Sequence, residues 1–143
     1  MEYSVFIIKI SLKAIDISHC SALTEKGVKG FFQECSTLYK FWAANCPNSV
    51  TDESMLQFVD QEELTSLNID FCVKVTDASL EPLIEAAPPL KELHISGCVK
   101  ITGKCVTALI QKGNYQLEVA EFSNLSQVDF AIRIRVVKEC FIG

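Results

Sequence analysis

The chain has 143 residues, 49% of them hydrophobic, and carries a formal net charge of −5 with a sequence pI near 5.0. That length buries one core, and the acidic balance argues against a nucleic-acid backbone or an anionic membrane as partner, because either needs a basic face. No apolar run reaches the ~18 residues that span a bilayer, and the start Met1, Glu2, Tyr3 lacks the positive charge of a secretory leader, so the chain reads as cytoplasmic or nuclear with a protein partner.

Val5 and Phe6 precede Phe31 and Phe32 by the same interval that separates Cys20 from Cys46, which predicts that 2–9 is the tail of a preceding helix, although 5–8 has strand propensity. From Leu12 onward one phrase recurs. Its members are Leu12, Ile15, Ile17 and Cys20; Leu38, Phe41, Ala43 and Cys46; Leu64, Leu67, Ile69 and Cys72; and Leu90, Leu93, Ile95 and Cys98. The interval is identical each time, and a degraded copy from Leu117 to Leu125 starts one position late. A fixed period in the range of about 20–50 residues means a repeat array. Alternation within each phrase predicts a short strand.

Each phrase is followed by a threonine, at Thr24, Thr51, Thr76 and Thr102, with an acid next to it in three copies. Counted from the threonine, Val28, Met55, Leu80 and Val106 share one position. Phe31 and Phe32, Phe58 and Val59, Leu83 and Ile84, and Leu109 and Ile110 share the next two. That spacing is the inner stripe of a short amphipathic helix. The threonine or the acid is expected to cap it, and an acid in the first turn suits the helix dipole. Pro88 and Pro89 stop the third helix and Gly113 the fourth, while Pro47 marks an insertion that shortens the second helix. Beyond Val128 the pattern fits a strand or a helix equally.

The leucine phrase with its cysteine, together with the following threonine and acid, resembles the leucine-rich repeat, in particular its cysteine-containing subfamily. That subfamily is known from F-box proteins and from small antagonist-of-mitotic-exit-like proteins. The resemblance runs from Leu12 to Leu125 and implies an α/β horseshoe solenoid, with parallel strands on the concave face and helices outside. Residues 1–143 form one domain with repeats at about 12–37, 38–63, 64–89, 90–116 and 117–143. It also implies protein recognition, as substrate receptor or adaptor of an SCF-type ubiquitin ligase. Little chain precedes Leu12, so an F-box is not expected there; a shortened product and a stand-alone adaptor both fit. A structural scaffold subunit of a ciliary or cytoskeletal complex is the alternative. Terminal repeats without polar caps predict self-association.

The cysteine ladder Cys20, Cys46, Cys72 and Cys98 is expected to be structural. Zinc needs ligands converging on one point, whereas thiols on parallel strands form a row stepped by about 4.8 Å. No cofactor and no enzymatic constellation is expected: P-loop, dinucleotide-binding and zinc-protease motifs are absent. A Ser96, His94 and Asp70 trio has no nucleophile-bearing turn behind it.

Function is therefore sought on the strand positions that point away from the core. One column reads Asp16, Trp42, Asn68, His94 and Glu121, and its neighbour Ala14, Lys40, Ser66, Glu92 and Val119. Trp42 is the chain's sole tryptophan. Exposed aromatics are enriched at binding hot spots, so Lys40, Trp42, Asn68, Asp70, Glu92 and His94 form the candidate partner-binding set. Against this, Trp42 covers its Lys40 neighbour's stem. Phe71 either folds over the ladder's edge or faces the partner.

Overall fold

The computed structural model describes residues 11–86, 88–112 and 117–126. The expectations for 2–9, for the Gly113 stop and for the tail beyond 128 lie outside these residues. Five strands, β1 (Ala14–Asp16), β2 (Lys40–Trp42), β3 (Ser66–Asn68), β4 (Glu92–His94) and β5 (Val119–Glu121), pair in chain order as one parallel sheet. Parallel neighbours need a crossover connection, and each repeat supplies one. The crossovers are α1 (Glu25–Glu34), α2 (Asp52–Met55) continued by a 3-10 helix (Leu56–Asp60), α3 (Asp77–Ala86) and α4 (Gly103–Lys112).

Register follows the repeat without a slip: Ile15, Phe41, Leu67, Leu93 and Ala120 pair across the sheet. Alternating side chains send this column toward the helices. There it meets Val28, Phe32, Met55, Phe58, Leu80, Leu83, Val106 and Leu109 in one continuous core. The second repeat departs from the others as Pro47 predicts. Its α-helix is four residues long, and Phe58 reaches the core from the 3-10 segment. Pro82 sits inside α3.

Thr24 and Thr51 cap as expected. Thr24 Oγ1 accepts from Gly27 N–H at 3.3 Å, and Thr51 and Ser54 form a reciprocal capping box. The acids, the other capping candidates, bind the next repeat instead. Asp52 accepts from both the N–H and the hydroxyl of Thr76, at 2.7 and 2.6 Å, and Asp77 grips Thr102 in the same bidentate manner. Glu25 accepts from the Thr51 hydroxyl. Each acid thus ties its own repeat to the next, with charge-assisted bonds stronger than neutral ones.

The cysteine ladder serves the same end on the strand side. The thiols of Cys46, Cys72 and Cys98 donate to the carbonyls of Ile17, Ala43 and Ile69, one strand back, at 3.1, 3.2 and 3.1 Å. All three are buried, whereas Cys20, on the first rung, is exposed. Burial pushes the Cys72 and Cys98 thiols up to about 12, so they stay protonated and carry no thiolate chemistry. Cys35 is buried at the helix-to-strand return, its thiol 3.5 Å from the Leu12 carbonyl.

The residue before each cysteine is left-handed: φ is 64° at His19, 55° at Asn45, 58° at Phe71 and 72° at Gly97, and Asn124 at the equivalent place in the last repeat has 55°. Asn and Gly accept this region readily and Phe does not. Phe71 lays its ring over the ladder's edge, where a Cβ on Gly97 would lie 2.3 Å from it. Gly97→Ala is therefore expected to cost about 1–2 kcal/mol from backbone conformation alone, plus displacement of the ring. Denaturant titration of Gly97→Ala in wild-type and Phe71→Asn backgrounds checks this; equal losses in the two would refute the ring contact.

Candidate functional site on the helix-free face of the sheet

The register assembles both outward columns as the repeat phase required. Asp16, Trp42, Asn68, His94 and Glu121 pair in one row, and Ala14, Lys40, Ser66, Glu92 and Val119 in the other. A sheet with one helix-covered face leaves these side chains on the other.

Trp42 is held by its neighbours, and the packing with Lys40 expected as the alternative to a partner role is present. It is half-buried, and its indole N–H donates to Ser66 Oγ at 2.8 Å. Ser66 Oγ in turn donates to Glu92 Oε2 at 2.6 Å. The Lys40 ammonium stands 3.7 Å from the indole centroid, a cation–π contact. The His94 ring meets the indole edge-on at 6.0 Å between centroids. Ser66 is buried although its column faces outward, because the indole roofs it. Lys40, Trp42, Ser66, Glu92 and His94 thus form one connected patch across β2, β3 and β4.

Asn68 and Asp70 take a different part. Position 18 in the first repeat and its equivalents 44, 70, 96 and 123 form a stair in which a side chain accepts the N–H of the next rung. Ser18 Oγ accepts from Ala44 N–H, Asp70 Oδ1 from Ser96 N–H and Ser96 Oγ from Ser123 N–H, at 3.1, 2.6 and 3.1 Å. Ala44 has no acceptor to offer, so the Asp70 N–H turns to Asn68 Oδ1 at 3.0 Å. The first rung does likewise, with Ser18 N–H donating to Asp16. This engages one lone pair of Ser96 Oγ with the backbone of the next rung.

Asp70 is the strained member. Burial raises its pKa, helped by the Glu121 charge and opposed by the Ser96 N–H and His94. An acid raised in the folded state is most favourable to folding when protonated, so its cost appears as pH climbs through the folded value. Asp70→Asn keeps an acceptor for Ser96 and drops the charge. It is expected to raise the melting midpoint at pH 7 and to leave it unchanged at a pH where Asp70 is protonated. A lowered midpoint at pH 7 would show that the charge is favourable where it stands.

His94 Nδ1 lies 3.1 Å from Glu121 Oε2, so Asp70, His94 and Glu121 converge from three rungs. Sequence phase had placed them as neighbours without showing that their polar atoms meet.

No protein-family model and no curated protein matches the chain. Solved structures do. The tropomodulin C-terminal domain from a structural genomics study of Caenorhabditis elegans superposes with a TM-score of 0.68 and 16% identity, over 90% of this chain and 82% of that one. At that identity the likeness speaks for the fold, and the conclusion is that the chain carries a repeated α/β fold of the leucine-rich-repeat-like kind.

Proposed function

We propose that the chain is a protein-recognition module, a leucine-rich-repeat horseshoe that holds its partner on the concave face around Trp42. The observation that carries this reading is the fixed indole. The Ser66 bond and the Lys40 and His94 contacts hold the ring in one pose, so it loses little entropy on binding. Asn68, Asp70 and Glu92 supply polar groups at its edge. With the resemblance to the cysteine-containing repeats, the partner would be a substrate of an SCF-type ubiquitin ligase.

Affinity purification of the tagged chain with mass spectrometry identifies the partner. Recovered cullin-ligase subunits support the ligase role, and a partner recovered without them removes it. Trp42→Ala is expected to weaken that partner's binding by about 2 kcal/mol or more in a calorimetric titration, as for a hot-spot aromatic. Unchanged affinity in a folded variant sinks the concave-face reading.

A second reading, as scaffold subunit of a ciliary or cytoskeletal assembly, has one observation in its favour. Among the described residues Ile15 and Ile17 of the first rung are only partly buried, whereas Phe41, Ala43, Leu67 and Ile69 are fully enclosed. An apolar hollow of about 170 Å³ lies there, lined by Ile15, Ile17, Leu23, Val28, Phe31 and Phe41. Concentration-dependent association by sedimentation that survives Trp42→Ala would favour it over recognition.

A further inference from the structure

We propose that Asp70, His94 and Glu121 form a binding site for a divalent transition-metal ion of the zinc or nickel class. One ligand atom from each side chain lies within 4.8 Å of the other two. Ligand atoms on a common ion at ~2.1 Å sit about 3–4 Å apart, so small side-chain rotations on a fixed sheet close the set. His94 and Glu121 are register partners on adjacent strands, and Asp70 stands two residues beyond Asn68, the partner of His94 on the preceding strand.

The donor chemistry selects the metal. An imidazole suits zinc, nickel and copper, whereas calcium and magnesium take oxygen ligands, calcium six to eight of them. Two carboxylates match a dication in charge. Among the described residues no lysine or arginine forms an ion pair with either one, and His94 when protonated supplies a single positive charge. The Ser96 N–H orients the Asp70 carboxylate from behind, as an outer-shell donor does. Burial and the neighbouring Glu121 both disfavour the Asp70 charge, and a cation between the two carboxylates relieves that cost. Three protein ligands leave coordination positions open to water or to a partner's side chain.

Trp42 reports on the site, since its ring lies 6.0 Å from that of His94. Titration of Ni²⁺ into the full chain is expected to quench the tryptophan fluorescence saturably at about one equivalent, and added Zn²⁺ to displace it and restore the emission. Outer-shell changes cost about 10–100-fold in metal affinity, so His94→Ala and Asp70→Asn, which remove or weaken a ligand, should lose at least about tenfold. Glu121→Gln changes an exposed position at little risk to folding and should show the same loss. Cys20→Ser, which removes the exposed thiol, should not. Binding unaffected by both His94→Ala and Glu121→Gln, binding lost in Cys20→Ser, or no saturable quenching would overturn the proposal.

Discussion

Phe58→Ala is expected to destabilise the protein by about 3–5 kcal/mol, the range for deleting a buried aromatic ring. Phe58 is enclosed, and it packs on Phe32 and Phe41 with ring centroids at 4.6 and 4.9 Å, while those two rings lie 5.0 Å apart. Tilted and edge-on pairs of this kind add about 0.5–1.5 kcal/mol each beyond area burial. The location makes the loss harder to absorb. The second repeat has only four α-helical residues, and the 3-10 segment reaches the core through Phe58 alone. Because whole domains are stable by about 5–15 kcal/mol, a loss of this size shifts the denaturation midpoint far. Phe58→Leu keeps most of the volume and should cost less than about 1.5 kcal/mol, and Leu56→Ala, at an exposed neighbour, very little. A loss below about 1 kcal/mol for Phe58→Ala would mean that the segment collapses into the vacated space.

Gln61→Met is expected to cost about 2–6 kcal/mol, since two buried backbone groups lose their partners at about 1–3 kcal/mol each. Gln61 is 2% exposed. Its Nε2 donates to the Cys35 carbonyl at 2.8 Å and its Oε1 accepts from Leu38 N–H at 3.3 Å. One amide therefore satisfies both an acceptor and a donor where the first helix returns to the second strand. Gln61→Glu separates the two bonds. An ionised glutamate still accepts from Leu38 but has no proton for Cys35, and burial disfavours its charge. The variant's folded-state pKa is then raised, so its deficit should shrink as pH falls and the protonated carboxyl regains a donor. Chemical denaturation across acidic and neutral pH checks this; a deficit that grows in acid would contradict the assigned bonds.

Gln61 also marks where reading from the sequence stopped. It stands one repeat interval after Cys35, in phase, so its position could be found, but its role depends on two groups of another repeat. The same holds for Asp52 and Asp77. Their place after threonine looked like capping, a local interaction, whereas their partners Thr76 and Thr102 belong to the next repeat. The left-handed column was partly legible, because Asn45, Gly97 and Asn124 are residues that tolerate it; Phe71 hid the pattern. Trp42 was correctly placed on the outward face, yet its bond to Ser66 and its contact with Lys40 join residues that pattern alone does not orient.

The phase of the array is legible in the residues alone. An unbroken interval from Cys20 to Cys98 set the strand positions, the register of the outward columns, the buried stripe and the cysteine row. It could do so because a parallel array places equivalent residues side by side and side-chain direction alternates along each strand. Which of those neighbours bond depends on the folded packing. Roofing of Ser66 by an indole, the reach of Asp70 to Ser96 and the convergence of His94 with Glu121 all depend on rotamers and burial a few ångströms across the sheet. Periodicity fixes the rung on which a side chain stands, and packing fixes what it touches.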